Sequence, residues 1–203
     1  MSVIKIKNKL LKLKIKFKMK KIFNITLVLF AALFIFSCRN DDAVPEDVHE
    51  HDEIGKVVLK LTDKANPSDV QTVNVISGVA DAHLHLEQGK TYITELDFQI
   101  KHEDHYDSSE EIEEEKDQHF ITYSPANADI TVIRGSNDIV RTDNQKLGLR
   151  TEWTVNSTQA TGKMNIKLIH LPVSVNQNYP SVTNQLGQTQ GGETDVDITV
   201  DAH

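Results

Sequence analysis

One cysteine in 203 residues leaves this chain no way to close a disulfide within itself. Aromatic residues make up only 6% of it, which does not suit a rim of stacking rings for sugars. The longest apolar run, residues 22–36, is interrupted by Asn24 and Thr26 and falls short of the ~20 residues that a spanning helix needs. The sequence contains no HExxH, no GxSxG elbow, no phosphate-binding glycine loop and no EF-hand spacing. These absences argue against a hydrolase, a nucleotide enzyme or a calcium-loop protein, and catalysis is not expected.

What is present begins with a charge asymmetry. Positions 1–37 carry nine lysines, all between Lys5 and Lys21, and no Asp or Glu. A basic stretch, then a short apolar stretch, then Ser37 before Cys38, has the form of a secretory signal. Residues 1–18 alternate lysine with apolar residues and read as an extended basic region. Met19-Lys20-Lys21 also has the form of a signal start, so Met1 and Met19 both stand as start sites. The segment Ile35-Phe36-Ser37-Cys38 resembles the lipobox of bacterial lipoproteins, although Phe36 stands where a small or β-branched residue is usual. The resemblance implies cleavage before Cys38 and acylation of that cysteine, which would anchor the product to a membrane.

Without the leader the chain is strongly acidic. Taking nine lysines from the 22 basic residues leaves 13 against 30 acids, a formal net charge of −17. Such a field repels nucleic acid and attracts cations. Residues 38–53 are polar and acidic, have almost no apolar side chains and read as a flexible tether. Asp41-Asp42 resemble the acidic export signal of Bacteroidetes surface lipoproteins. That resemblance implies an outer-membrane, cell-surface location.

From Ile54 the hydrophobic period becomes two. Val57, Leu59 and Leu61 alternate with polar or intervening positions, as do Tyr92, Leu96, Phe98 and Ile100. The same holds for Met164, Ile166 and Leu168, and for Val196, Ile198 and Val200. Shorter runs at 70–76, 82–86, 120–123, 129–133 and 147–155 bring the expected strands to eight or nine. This pattern predicts an all-β, antiparallel, Ig-like β-sandwich over residues 54–203, with Phe98 and Trp153 in its core. Only residues 108–117 read as helix.

Several segments together resemble a group of small Bacteroidetes outer-membrane lipoproteins. They are the acidic run Glu111-Ile112-Glu113-Glu114-Glu115, then Gln118-His119-Phe120, the Leu-Ile-His-Leu-Pro segment at 168–172, and Gly191-Gly192-Glu193-Thr194-Asp195. Some members carry the label type 1 periplasmic binding fold, which implies a larger α/β protein, and this chain shows no βαβ rhythm.

All nine histidines follow Cys38. On a strand, Asp81, His83, His85 and Glu87 would share one face while Ala82, Leu84 and Leu86 face the core. Two neutral imidazoles beside carboxylates are donors that zinc or copper takes. Residues 102–119 form a second candidate. There His102 and His105 are three apart, Glu115 and His119 are four apart, and acidic residues surround them. His49 and His51 lie in the tether, where no scaffold fixes them. His170 falls on the apolar phase of its strand and reads as a core histidine, and His203 reads as a frayed end. The expected function is capture of a divalent transition metal or metal complex, as an accessory to an outer-membrane uptake receptor. The competing expectation is a non-catalytic Ig-like module for a protein or glycan partner.

Overall fold

The computed structural model describes residues 53–203. The tether histidines His49 and His51, the leader and Cys38 lie outside the described residues. The elements in chain order are β1 (Ile54–Asp63), β2 (Val70–Ile76), β3 (Val79–Ala80), β4 (Thr91–His102), β5 (His105–Ser108), α1 (Glu111–Glu114), β6 (His119–Arg134), β7 (Arg150–His170), β8 (Ser174–Asn176), β9 (Pro180–Ser181), β10 (Asn184–Gln185), β11 (Gln188–Gln190) and β12 (Glu193–Asp201). The domain is all-β, antiparallel and sandwich-like, formed by a curled sheet.

That sheet has eight strands. Its main path is β12-β7-β4-β1-β2-β3, with β5 added to β4 and β6 added to β7. The curl comes from the two longest strands. The N-terminal part of β7 has β4 on one side, with Tyr92 opposite Trp153, and the C-terminal half of β6 on the other, with Val132 opposite Trp153. Beyond Lys163, β12 takes the side that β4 occupied, and Ile198 lies opposite Ile166. The β6–β7 hairpin is therefore common to both layers.

The sequence pattern explains where this ribbon turns. In β6 the alternating buried positions are His119, Ile121 and Tyr123, then Ile130, Val132 and Arg134, so the inward phase changes from odd to even, while Phe120 is buried out of that phase. In β7 it changes from Thr151, Trp153 and Val155 to Met164, Ile166 and Leu168. A phase change requires an extra residue in the ladder, and register shifts occur between Ala126 and Ala128 and between Asp129 and Ile130. The runs at 120–123 and 129–133, expected as separate strands, are thus one strand, and residues 150–155 of the run expected at 147–155 continue through 164–168 as β7, with 147–149 outside it.

Trp153 and Phe98 lie in the core as expected, at 0% and 2% exposure. Trp153 meets Tyr123 edge to face at 5.7 Å and donates its indole N–H to Thr151 Oγ1 at 2.9 Å. One buried group was not expected. Arg134 lies over the Phe120 ring at 4.3 Å and donates to the carbonyls of Ile121 (2.6 Å) and Lys146 (2.9 Å). Burial lowers its pKa to about 10. The outer edge of β6 is covered too: Val132 N–H donates to Asn184 Oδ1 and Arg134 N–H to Gln185 Oε1, so the edge offers no free ladder there.

Two expectations about local structure are corrected. The helix expected over 108–117 is a single turn, α1, because Ser108 belongs to β5 and the chain turns out of the helix at Glu115. Residues 82–86 form no ladder strand, and Ala82 lies in a bend. Only Leu84 is bridged, in parallel, to Ala202. Leu84 and Leu86 are buried as expected, whereas Ala82 is exposed.

Candidate metal centre

Three donors converge where α1 runs into β6. Glu115 caps α1 with φ −95° and ψ 34°, and its N–H donates to the Glu111 carbonyl at 2.7 Å. The turn that follows, closed by Gln118 N–H on the Glu115 carbonyl at 2.8 Å, brings His119 back beside Glu115 at the start of β6. The antiparallel register then places His119 opposite His170, the last residue of β7. Their rings stack with centroids 5.0 Å apart and planes 18° from parallel.

One donor atom each from Glu115, His119 and His170 lies within 4.8 Å of the others. Donors around a tetrahedral zinc stand roughly 3.4 Å apart, so small side-chain rotations would close the site on an ion. Glu115 Oε2 is buried with no hydrogen-bond partner among the described residues, which is costly for a carboxylate and is relieved by a cation. His119 Nδ1 lies 3.2 Å from the Glu115 carbonyl, a contact that requires the proton on Nδ1. In the neutral ring that tautomer puts the lone pair on Nε2, which lies 3.7 Å from Asp195 Oδ2. Burial, reinforced by the neighbouring His170, pushes the His119 pKa below the ordinary histidine value and favours this ligating form.

Asp195 reaches the site because of a local irregularity in β12. The β12–β7 register pairs Thr194 with Ile169 and Val196 with Leu168, so Asp195 is the extra residue of a bulge. Bulges re-aim side chains in this way. A cavity of about 220 Å³ opens at this point, lined by His119, Asp195, Glu111, Ile112, Ser109, Ile54 and Glu53. The spacing of Glu115 and His119 pointed to this site for the wrong geometric reason, since a turn brings them together and a helix face does not. His170 and Asp195 were missed as ligands. The first reads as core because it shares the buried phase of Ile166 and Leu168, and the second depends on a bulge that no periodicity reveals.

The other predicted donors are placed differently. His83 and His85 leave the chain on the solvent side of Leu84, with ring centroids 4.3 Å apart. Asp81 does not join them, because its carboxylate accepts the Asn74 N–H and side-chain amide, both at 2.8 Å. Those bonds, the side-chain one first, hold its pKa below the usual carboxylate value. Glu87 turns to Lys90 at 2.6 Å. His203 is pinned where fraying was expected: its N–H donates to the Leu84 carbonyl at 3.0 Å, and its ring stacks on His83 at 5.0 Å.

His102 and His105 pair across the β4–β5 hairpin at 5.8 Å and do not join Glu115 and His119. Both are exposed at the hairpin end. His105 lies 3.1 Å from Asp104 on one ring nitrogen and 3.1 Å from Asp107 on the other. The Asp104 hydrogen bond and then the Asp107 charge raise its pKa, which favours the protonated ring, the form that cannot ligate.

No family model, curated protein or solved structure matches the chain. The functional reading therefore rests on the residues themselves.

Proposed function

We propose that this chain is a membrane-anchored lipoprotein whose β domain binds a divalent transition-metal ion, zinc or copper, at Glu115, His119 and His170, with Asp195 as a further donor. The observation that carries the reading is the convergence of two buried imidazoles and a carboxylate within 4.8 Å. Two nitrogens with one or two carboxylate oxygens are a donor set that zinc accepts. The weight moves to His119 and His170 from His83 and His85 because the buried pair is held by strand register and the carboxylates beside it face it. The −17 charge of the exported chain supports collection of cations. On this reading the protein is non-catalytic, sits on the outer membrane through lipid on Cys38, and delivers its ion or metal complex to an uptake receptor.

Zinc titration calorimetry on the full chain tests the metal, with His119→Ala/His170→Ala as the comparison. The parent should bind one tight equivalent that the variant lacks, and equal binding by both would sink the proposal. For the anchor, Cys38→Ala should no longer incorporate labelled fatty acid or remain with membranes, and labelled Cys38→Ala would refute it.

A second reading, an Ig-like module for a protein or glycan, draws on one feature. A cleft of about 680 Å³ lies where β4 continues past its β7 partner, with Val58, Phe98 and Leu149 among its apolar lining and Glu95, Glu110 and Arg150 among its charged residues. Full metal independence together with saturable partner binding that is lost on filling this cleft would favour it.

A further inference from the structure

We infer that His83, His85 and His203 form a second metal site on the solvent-facing side of the domain, separate from the buried centre and served by imidazole nitrogens. Two remote parts of the chain build it. Leu84 and Ala202, both 0% exposed, anchor a short parallel pairing in which Leu84 N–H donates to the Asp201 carbonyl at 2.8 Å. His203 N–H donates to the Leu84 carbonyl at 3.0 Å, and Leu86 N–H to the His203 carbonyl at 3.2 Å. Because side chains alternate along extended backbone, burying Leu84, Leu86 and Ala202 sends His83, His85, Asp201 and His203 to the solvent side.

The three rings already gather about His83. His85 meets it edge-on at 4.3 Å, and His203 stacks on it at 5.0 Å with planes 3° from parallel. All three are exposed, and the ring torsion of histidine is broad, so side-chain rotation is free to bring their nitrogens closer to one another. Asp201 is held by Lys163 at 2.9 Å. It supplies negative charge beside the rings, and nitrogen remains the donor type. A site of three imidazoles suits copper(II) and zinc, with copper the tighter of the two. Being exposed, it would exchange its ion with solvent or with a partner, whereas the buried centre would retain one.

Copper(II) added to the full chain in detergent, followed by electron paramagnetic resonance, tests the inference. The parent should show a copper signal with splitting from several imidazole nitrogens. Added to His119→Ala/His170→Ala, which takes away the imidazoles of the buried centre, His83→Gln/His203→Gln should lose that signal and weaken copper binding roughly tenfold or more. His49→Ala/His51→Ala, which removes the same number of histidines from the tether, should keep it, and so should His119→Ala/His170→Ala. The site does not exist if the combined variant keeps the full signal, if the tether variant loses as much, or if the parent binds no copper through multiple nitrogens.

Discussion

His119 and His170 face one another across the β6–β7 pair, stacked at 5.0 Å, and each is almost fully buried. The proposed metal centre rests on this pair, and burial lowers the pKa of His119 within it.

The first consequence concerns heat. A ligand that binds the folded chain alone raises its stability by roughly 2.7 kcal/mol at a hundredfold excess over its Kd. Zinc should therefore raise the melting temperature of the parent by several degrees. His119→Ala and His170→Ala should each remove most of that rise, and differential scanning calorimetry with and without zinc measures it.

The second concerns pH in the absence of metal. The His119 pKa is lowered in the fold, by burial first, relative to 6.5. Between the folded value and 6.5 the unfolded chain binds more protons, so stability rises with pH. The contribution of His119 is thus fully present above 6.5 and is lost as pH falls through the folded value. His105 has a raised pKa and the opposite sign, but it is exposed and lies in an ion pair screened by solvent. Urea midpoints between pH 7.5 and 5 should fall in the parent and fall less in His119→Gln.

Arg134 supports a third. Gly148 has φ +103°, and a Cβ there would stand 2.3 Å from an Arg134 guanidinium nitrogen and 3.1 Å from Ile121 Cβ. Arg134 cannot swing away without leaving the two carbonyls it serves. Gly148→Ala should cost about 2–3 kcal/mol in chemical denaturation. Gly78→Ala, with positive φ but open space around its Cβ, should cost less.

The covered edge of β6 makes a fourth. Replacing Asn184 and Gln185 together with alanine removes the acceptors for Val132 N–H and Arg134 N–H. Each backbone donor left without a partner costs about 1–3 kcal/mol. The variant should unfold at lower denaturant and show concentration-dependent association by light scattering.

Much of the β architecture was legible in residue alternation, since one face of nearly every long strand is buried. Val57, Leu59 and Leu61, and likewise Val196, Ile198 and Val200, are buried in the phase that their spacing implies. Strand continuity was not legible. A hairpin that crosses between layers must change its inward phase, and in sequence the polar residues at the change look like a turn. The candidate centre was half legible: Glu115 and His119 are close in sequence, whereas His170 arrives through cross-strand register and Asp195 through a bulge. His83 and His85 kept their shared face, but local hydrogen bonding drew Asp81 to Asn74 and Glu87 to Lys90. Their third neighbour, His203, is more than a hundred residues away.

The β6–β7 hairpin is closed by its loop at Arg134 and Arg150 and open at His119 and His170. A strand pair separates most easily from its open end, and an ion gripped by those two histidines would lock that end. It would also close a loop of some fifty residues, a constraint that removes about 4 kcal/mol of chain entropy when the link is covalent. With a single cysteine, this chain has no covalent crosslink of its own to make. A captured metal would take that place as a removable staple, so a chelator should do to this domain what a reductant does to a disulfide-bonded one.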